Sequence, residues 1–361
     1  MDRRSFLKTT AAGGAAATAT SLAAPVYAQG KQTLTMVTSW GRGLAGVHDT
    51  AQFIADRIGE VSDGSLTVDL KAAGELVGAF DVFDAVSSGQ ADMYHSADYY
   101  FLGQHPGLAF FCQIPFGMNF MEYTNWWEHD GGRVMGEELY SIFGLKAFPA
   151  GNTGPQPGGW FNKEINAPED FQGLKFRMPG QGGEVLGKLG VSVQNLPGSE
   201  VYQALSSGAI DGTDWIGPWA DEKAGFQEVA KFYYTAGFQE PGPNINLNVN
   251  REMFDALSPA HQAIIENVAR SANLWGMSLF TANNAAALQR LQSGGTQLRE
   301  FPAPVWDAFG EASKDVVEQY MEDDLYKSIY DSYMKSMASS AQWSASAGGA
   351  YEAQRNRVMD L

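Results

Sequence analysis

The amino-acid sequence predicts an α/β fold with two lobes, a ligand cleft between the lobes and a helical C-terminal region. The chain has 361 residues, which is long for one hydrophobic core but suits two lobes of roughly 120 to 150 residues each. A strand, a helix and a second strand follow one another near the N-terminus, and a short helix-to-strand segment recurs in similar form later in the chain. From about residue 258 onward, apolar residues recur almost entirely at helical spacing.

The first 28 residues have the features of a twin-arginine export signal. Arg3 and Arg4 precede a stretch of Ala, Gly and Thr, and small residues at Val26 and Ala28 flank a cleavage point. A membrane anchor is the alternative, but the apolar stretch is short and no stop-transfer pattern follows it. We therefore expect residues 1–28 to be a cleaved signal peptide, exported by the Tat pathway, and the mature protein to work in the periplasm.

The charge and the cysteine content exclude several classes of function. The formal net charge is −17, and removal of the signal with Arg3 and Arg4 makes it more negative. Such a field repels nucleic acid and anionic lipid, so an anionic ligand would need a specific local cation. Cys112 is the only cysteine, which excludes an intramolecular disulfide, a zinc-thiolate cluster and a two-cysteine redox site.

The elements of the first lobe begin with a βαβ unit. Residues 33–40 alternate and are rich in β-formers, residues 50–61 carry apolar residues at helical spacing, and residues 65–70 predict a second strand. This order implies a parallel sheet with a right-handed crossover. A helix over residues 126–143 then covers the lobe, and residues 145–149 predict a crossing strand.

Two similar segments predict one corner in each lobe. Residues 81–93 and 200–212 share an acidic residue, Val, an aromatic residue, Ala, an aliphatic residue, Ser, Ser, Gly and Asp in register. Each segment predicts a short helix that ends at Gly89 or Gly208 and leads into a short strand. Chance similarity between two helix ends is the alternative, but a repeated corner suits two related lobes better.

Ligands bind at the carboxyl ends of strands in open α/β sheets, so the residues after each corner are candidates for the cleft walls. They are His95, Ser96, Asp98, Tyr99 and Tyr100 in the first lobe, and Thr213, Asp214, Trp215, Pro218 and Trp219 in the second.

The second lobe is predicted from a strand at 174–178, a helix at 183–189 and a strand at 191–196. A further alternating strand at 244–250 belongs to this lobe or returns toward the first. The predicted organisation is a signal peptide (1–28), lobe 1 (29–145, with part of 250–300 returning), lobe 2 (146–250), helices packing across both lobes (251–340) and a tail helix (341–361). The tail is either a frayed end or a helix that packs on a partner subunit.

Arg177 is the candidate partner of an acidic ligand. It ends a short β-like run just before Met178, Pro179 and Gly180, which places its side chain at the cleft edge. Its guanidinium offers a planar pair of donors that match a carboxylate. A merely solvated arginine is the alternative.

Several oxygen-bearing side chains suggest a cation site. Asn152, Thr153 and Gln156 lie in a loop rich in Gly and Pro. Together with Asp214 and Glu240 they could supply the amide and carboxylate oxygens that sodium or calcium prefers. The alternative is that polar turn residues serve only their own turn.

Common enzyme motifs are absent from the sequence. It contains no His-Glu-x-x-His run, no phosphate-binding P-loop and no Gly-x-Ser-x-Gly elbow, and Val185 occupies the third glycine position of a superficial dinucleotide loop. We therefore expect a protein that is not an enzyme. The competing interpretations are a secreted hydrolase or lyase that uses Asp214, Glu240 or His95 as a base, and a sensor subunit with the same cleft. A structural role is favoured for His95.

Two motifs resemble a known family. The run from Pro168 to Arg177 has the pattern Pro-x-Asp-Phe-x-Gly-x-Lys-x-Arg and precedes the corner at residues 206–212. Together they resemble the extracytoplasmic solute receptors of TRAP transporters, of the DctP type, over essentially the whole mature chain. This resemblance implies a two-lobed, periplasmic-binding-protein-like fold. Residues 91–100 and 214–219 are similar to the branch that binds 2-oxo acids or lactate together with a metal ion.

The resemblance implies a receptor that captures a small 2-oxo monocarboxylate, such as pyruvate or 2-oxobutyrate, and delivers it to a membrane permease after hinge closure. Lactate or another organic acid is the alternative. Arg177 would pair with the solute carboxylate. The predicted solute contacts are Arg177, Asn152, Gln156, Tyr100, Trp215 and Asp214. The cation ligands that the resemblance implies are Gln156, Asp214, the backbone carbonyl of Trp215, and Glu240.

The resemblance also bears on the ion and on the oligomer. Sodium is expected ahead of calcium, and Asp214 stands where relatives often have Glu, which leaves the choice of ion open. A homodimer formed through the C-terminal helix is implied as well.

Overall fold

The computed structural model describes residues 31–360, so the predicted signal peptide lies outside the described residues. The chain forms two β-sheets with helices packed on both. Up to residue 152 the elements are β1 (Gln32–Thr38), α1 (Val47–Val61), β2 (Leu66–Lys71), α2 (Val82–Ser87), β3 (Met93–Ser96), α3 (Phe120–His129), α4 (Gly132–Ser141) and β4 (Leu145–Asn152).

The middle part contains β5 (Gly159–Phe161), β6 (Lys175–Arg177), α5 (Gly180–Lys188), β7 (Ser192–Gln194), α6 (Gly198–Ser206), β8 (Gly212–Thr213), α7 (Pro218–Ala224) and β9 (Phe232–Tyr234). The last part contains β10 (Asn244–Asn250), α8 (Arg251–Ala256), α9 (Pro259–Ser293), β11 (Gln297–Arg299), α10 (Ala303–Glu318), α11 (Asp324–Ser344) and α12 (Ala350–Met359).

The first sheet has the order β2-β1-β3-β10-β4. β1 pairs in parallel with β2 and with β3, as the strand–helix–strand pattern predicts. α1 packs against this sheet because its apolar residues, such as Ile54 and Ile58, lie on one face and are fully buried. The two corner glycines, Gly89 and Gly208, have φ angles of 77° and 71°, a conformation that glycine adopts without strain at the end of a helix.

The boundary between the lobes differs from the predicted position at 145/146. β4 and β10 both belong to the first sheet, where β10 pairs antiparallel with β3 and β4. The chain therefore leaves the first sheet at Asn152 and re-enters it at Asn244. Alternation of side chains shows that a segment is extended, but it carries no information about which sheet the strand joins.

The second sheet has the order β11-β9-β5-β8-β6-β7 and consists of strands of two or three residues. β6 lies between β7 and β8, parallel to both, with Arg177 opposite Thr213. β11 interrupts the C-terminal region that the sequence predicts as almost entirely helical. It pairs with β9 and so returns the chain to the second sheet after α9.

The helices differ from prediction in one further place. The helix expected over 126–143 is two helices, α3 and α4, separated at Gly131, which has a φ of 102°. α9 is 35 residues long and packs on β4 and α1 of the first lobe and on α7 of the second. None of the helices within residues 31–360 is apolar enough over a sufficient length to span a bilayer.

The tail continues α11 through a π-helical turn at Ala345–Gly349 into α12. No side chain of this turn or of α12 is buried. Trp343 at the start of the tail is 73% exposed and Tyr351 is 65% exposed. The tail is thus helical, and it presents aromatic side chains to solvent.

Candidate functional site

A cleft lies between the two sheets and is lined by both lobes. Its first wall is mostly apolar and includes Trp40, Leu44, Val47, Phe80 and Ile245, and its second wall carries Gln156, Arg177, Asp214, Trp215 and Ile216. Between them lie about 500 Å³ of empty space, part of it continuous with solvent. A pocket with this mixed lining suits a small organic molecule.

The topology of the second sheet brings Arg177 and Asp214 together. They follow neighbouring parallel strands, and the backbone N–H of Asp214 donates to the carbonyl of Arg177 at 3.0 Å. Arg177 Nη1 donates to Asp214 Oδ1 at 2.8 Å, and the two side chains are only 3% and 1% exposed. The carboxyl end of the sheet therefore carries a desolvated ion pair at the cleft, and Arg177 is not a solvated surface arginine.

Three contacts hold the Arg177 guanidinium in place besides this ion pair. Its Nε donates to the carbonyl of Leu196 at 3.2 Å, and its Nη2 donates to the hydroxyl of Tyr100 from the first lobe at 3.5 Å. The guanidinium also lies over the Trp215 ring, 5.2 Å from its centre. A guanidinium has five N–H donors. Three are used by described residues, which leaves one N–H on each of Nη1 and Nη2 for a ligand.

Gln156 lines the cleft, whereas Glu240 is buried nearby and does not line it. The backbone N–H of Gln156 donates to the carbonyl of Glu240 at 2.9 Å, so two separate loops meet here. Gln156 Nε2 donates to Thr153 Oγ1 at 3.0 Å, which fixes the orientation of the amide. Gln156 Oε1 and Glu240 Oε2 are buried and accept no hydrogen bond from the described residues. Buried acceptors without donors are costly to the fold.

The charges in the cleft shift one another's pKa values. Burial raises the pKa of Asp214 to about 6, although the adjacent Arg177 lowers it. Burial also raises the pKa of Glu240, and the nearby Asp214 carboxylate raises it further. Burial disfavours the charged form of Arg177, but the adjacent Asp214 carboxylate favours it, and the pKa of Arg177 lies above its ordinary value. The region thus holds one permanent positive charge, the Arg177 guanidinium, and two carboxyl groups that compete for it.

Asn152 differs from the role that the sequence suggests. It is buried but does not line the cleft. Its Nδ2 donates to the carbonyl of Gly242 at 2.8 Å, and its Oδ1 accepts from the backbone N–H of Gly154 at 2.8 Å. Both halves of the amide are used by the backbone, so Asn152 shapes the loop that carries Gln156 instead of contacting a ligand.

Among the other residues predicted from the two corners, Tyr99, Tyr100, Asp214 and Trp215 line the cleft, and the rest do not. His95 is fully buried, where Nδ1 accepts from Trp40 Nε1 at 2.8 Å and Nε2 donates to the carbonyl of Ala150 at 3.3 Å. Burial lowers its pKa to about 3, so it stays neutral and structural.

Asp98 is fully buried and does not line the cleft. It accepts hydrogen bonds from Tyr94, Tyr140, Asn246 and Asn248. Neither Asp98 nor His95 is therefore available as a base in the cleft.

The sequence did not point to most of the apolar wall. Trp40 ends the first predicted strand and could have been found by the carboxyl-end rule. Leu44, Phe80 and Ile245 come from loops and from a strand whose sheet was not predicted, so no local signal identified them.

A two-lobed α/β chain with a desolvated arginine in the cleft between its lobes has the architecture of a periplasmic solute-binding protein. The comparison with protein families agrees. Residues 42–324 match the family described as bacterial extracellular solute-binding protein, family 7 (DctP), and residues 1–20 match the twin-arginine signal sequence. The chain belongs to this family, which consists of transport receptors and not enzymes.

Individual relatives agree with this assignment. The chain is 40% identical, over 82% of its length and 82% of the relative, to a monocarboxylate 2-oxoacid-binding periplasmic protein of Nostoc. A TRAP solute-binding protein from Pseudoalteromonas atlantica, solved with sodium and pyruvate, superposes with a TM-score of 0.86 at 37% identity, covering 89% of this chain and 98% of that one.

A third relative is a TRAP solute-binding protein of Bordetella bronchiseptica, described as a mixed-occupancy dimer with calcium and picolinate. It gives a TM-score of 0.90 at 33% identity and covers 92% of this chain and 99% of that one. The chain is thus a TRAP solute receptor exported to the periplasm, and its transport partner is a TRAP permease.

Proposed function

We propose that this receptor captures a small 2-oxo monocarboxylate, such as pyruvate, together with a sodium or calcium ion. The observation that carries the proposal is the buried Arg177, with two N–H groups free for a ligand, beside two buried oxygens that lack donors. A 2-oxo acid has the matching parts, because its carboxylate can pair with the guanidinium and its 2-oxygen can ligate a cation. The 2-oxoacid-binding relative from Nostoc and the sodium–pyruvate structure support this choice.

The anion would be held by Arg177. Its side chain is already fixed by Asp214, Leu196 and Tyr100, so little side-chain entropy is lost when the solute binds. The apolar wall of the first lobe would cover the alkyl end of the solute and exclude water. Arg177 is the only Lys or Arg among the described residues that line the cleft, which favours a monocarboxylate over a dicarboxylate.

The residues present fit a cation. Gln156 Oε1, the carboxylates of Asp214 and Glu240, and the backbone carbonyl of Trp215 are the oxygen donors that hard cations prefer. A bound cation would supply a positive charge that neutralises the carboxylates and attracts the 2-oxygen of the solute. It would also relieve the unsatisfied oxygens of Gln156 and Glu240.

The charge balance distinguishes the two ions. With Arg177, ionised Asp214, ionised Glu240 and a solute carboxylate, a divalent cation brings the sum to zero. A monovalent cation leaves one negative charge, which disappears if one carboxyl keeps its proton. Burial raises the pKa of both carboxyls, that of Asp214 to about 6, which favours retention of a proton when the cation carries only one charge. Calcium should therefore displace a proton that sodium leaves in place.

Closure of the two lobes would complete the site. Tyr100 from the first lobe contacts Arg177 in the second, so the guanidinium is in contact with both lobes. Bound solute adds contacts between the two walls and shifts the equilibrium toward the closed form, which the permease would recognise.

A thermal-shift screen tests the proposed solute and cation. Cation-stripped protein would be mixed with pyruvate, 2-oxobutyrate, lactate or succinate, each with sodium, calcium or neither. A ligand that binds only the folded form stabilises it and so raises the melting temperature. At a hundredfold excess over Kd the stabilisation is about 2.7 kcal/mol. We expect the largest shift with a 2-oxo monocarboxylate plus cation. A larger shift with succinate, or no shift with any acid, would contradict the proposal.

We also propose that the chain forms a homodimer through its C-terminal helix. Trp343, Tyr351 and Met359 are 73%, 65% and 64% exposed, and the last turns bury no side chain. Exposed aromatic residues on a protruding helix are typical of an interface. The dimer described for the Bordetella bronchiseptica protein is consistent with this proposal.

A further inference from the structure

Asp221 is a buried carboxylate that lies outside the cleft and contacts the loop between β8 and α7. It sits in the first turn of α7 and is 1% exposed. Its Oδ1 accepts the backbone N–H groups of Ile216 at 3.2 Å and Gly217 at 2.7 Å. Its Oδ2 accepts from Trp160 Nε1 and from the Tyr233 hydroxyl, both at 2.8 Å. Four donors from three parts of the chain therefore converge on one carboxylate.

Only a carboxylate suits this position. Two oxygens with about four acceptor sites can take all four donors, whereas an asparagine would turn N–H groups toward the Trp160 N–H, which cannot accept. The arrangement is costly, because no Lys or Arg of the described chain forms an ion pair with Asp221. Burial raises the pKa of Asp221 to about 7, although the four hydrogen bonds lower it. A buried charge of this kind strongly restrains the groups that satisfy it.

The restrained loop is the one that carries the ligand-binding groups. Asp214 pairs with Arg177, and the Trp215 ring lies against the same guanidinium. The N–H of Ile216 belongs to the same peptide unit as the carbonyl of Trp215. In a trans peptide these two groups point in opposite directions, and the described chain has no cis peptide bond. When Asp221 takes the Ile216 N–H, it turns the Trp215 carbonyl away from itself.

We propose that Asp221 is a positioning residue for the cation and solute. It orients the peptide between Trp215 and Ile216, so that the Trp215 carbonyl faces the cleft side of the loop and the Asp214 carboxylate is held beside Arg177. Asp221 touches neither ligand. The proposal deepens the proposed function and rests on it, because the carbonyl matters only if a cation binds there.

The chain supplies a matched pair of variants for the test. Tyr233 and Tyr234 are adjacent in β9 and both are buried. The Tyr233 hydroxyl donates to Asp221, whereas the Tyr234 hydroxyl accepts from the backbone N–H of Ile165 at 2.6 Å and donates to the carbonyl of Ile165 at 3.2 Å, away from the cleft. Tyr233→Phe and Tyr234→Phe each delete one buried hydroxyl, so Tyr234→Phe controls for a general loss of stability.

Isothermal titration with pyruvate and calcium would be carried out well below the melting temperature. Loss of one hydrogen bond to a charged group predicts a Kd about threefold or more higher for Tyr233→Phe, and at least about tenfold higher for Asp221→Asn. Tyr234→Phe should stay within about twofold of wild type. Equal Kd values for all three variants and wild type would show a purely structural role and overturn the proposal.

Hydrogen–deuterium exchange separates this proposal from the proposed function. It is measured on the segment 212–220 without any ligand, in wild type and in Tyr233→Phe. We expect faster exchange at the amides of Ile216 and Gly217 in the variant, even if wild type binds no 2-oxo acid. Unchanged exchange would overturn the restraint by Asp221 itself, whereas failure of wild type to bind any 2-oxo acid would reject the proposed function and the positioning role with it.

Discussion

Replacement of Arg177 by alanine should remove solute binding and also weaken the fold. The side chain of Arg177 is 3% exposed and pairs with Asp214 at 2.8 Å. Two of its N–H groups remain for the solute carboxylate, and a hydrogen bond to a charged group contributes about 1.5–3 kcal/mol. Loss of both predicts about 3–6 kcal/mol less binding free energy, which is on the order of 10² to 10⁴ in Kd.

The same substitution leaves Asp214 buried without its partner. Breaking a buried ion pair in this way typically costs about 3–5 kcal/mol of stability. For a chain of this size that corresponds to a drop in melting temperature on the order of 10 °C. Protonation of Asp214 offsets part of the loss, because its pKa is already raised to about 6 by burial.

Isothermal titration of pyruvate in the presence of calcium measures the loss of affinity, and a thermal melt without ligand measures the loss of stability. Arg290→Ala is the control, because Arg290 pairs with Glu222 at the surface of the second lobe and its side chain is 55% exposed. An exposed pair contributes little in water, so both quantities should stay near wild type. A Kd for Arg177→Ala within threefold of wild type would refute the assignment of Arg177 as the anion partner.

Two further predictions concern the cation and the tail. Raised pKa values of Asp214 and Glu240 mean that protons compete with the cation, so pyruvate affinity in calcium should fall as pH decreases from 8 through 6, and more steeply than in sodium. Without cation, the stability of the fold changes with pH in the opposite direction: the stabilisation from the raised pKa of Asp214 is present below about pH 4 and is lost as pH rises through about 6, which thermal melts at pH 5 and 8 would check. Equal pH dependence of pyruvate affinity in calcium and in sodium would count against both carboxylates as ligands. Removal of residues 341–361 should convert the proposed dimer to a monomer in light scattering and leave the pyruvate Kd within about twofold. A truncated chain that stays dimeric would reject the tail as the interface.

The fold was predictable where one segment determines its own structure. The βαβ opening and both corners follow from alternation, helical spacing and the glycines that end α2 and α6. The sheet membership of β4 and β10 was not predictable, because pairing depends on residues about a hundred positions apart. Gly131 and Gly132 indicate the break between α3 and α4, but the spacing of apolar residues alone does not reveal it.

The site was predictable to the extent that it follows strand ends. Arg177 and Asp214 come directly at the ends of two strands, and the carboxyl-end rule places both at the cleft. Gln156 and Glu240 meet through a contact between two loops, and no fixed spacing of residues in the sequence predicts such a contact. Asp221 gave no signal at all, since its donors Trp160 and Tyr233 lie 61 and 12 residues away.

The most direct measurement is a calorimetric titration of pyruvate into purified protein that has been stripped of cations, repeated after calcium is restored. If the guanidinium and an oxygen-bound ion both bind the solute, affinity should be weak in the stripped protein and reach the micromolar range or better with calcium. This corresponds to a difference in binding free energy of at least about 1.4 kcal/mol. Identical affinity in both titrations would show that the oxygens of Gln156, Asp214 and Glu240 hold no cation for the solute, and would contradict the account.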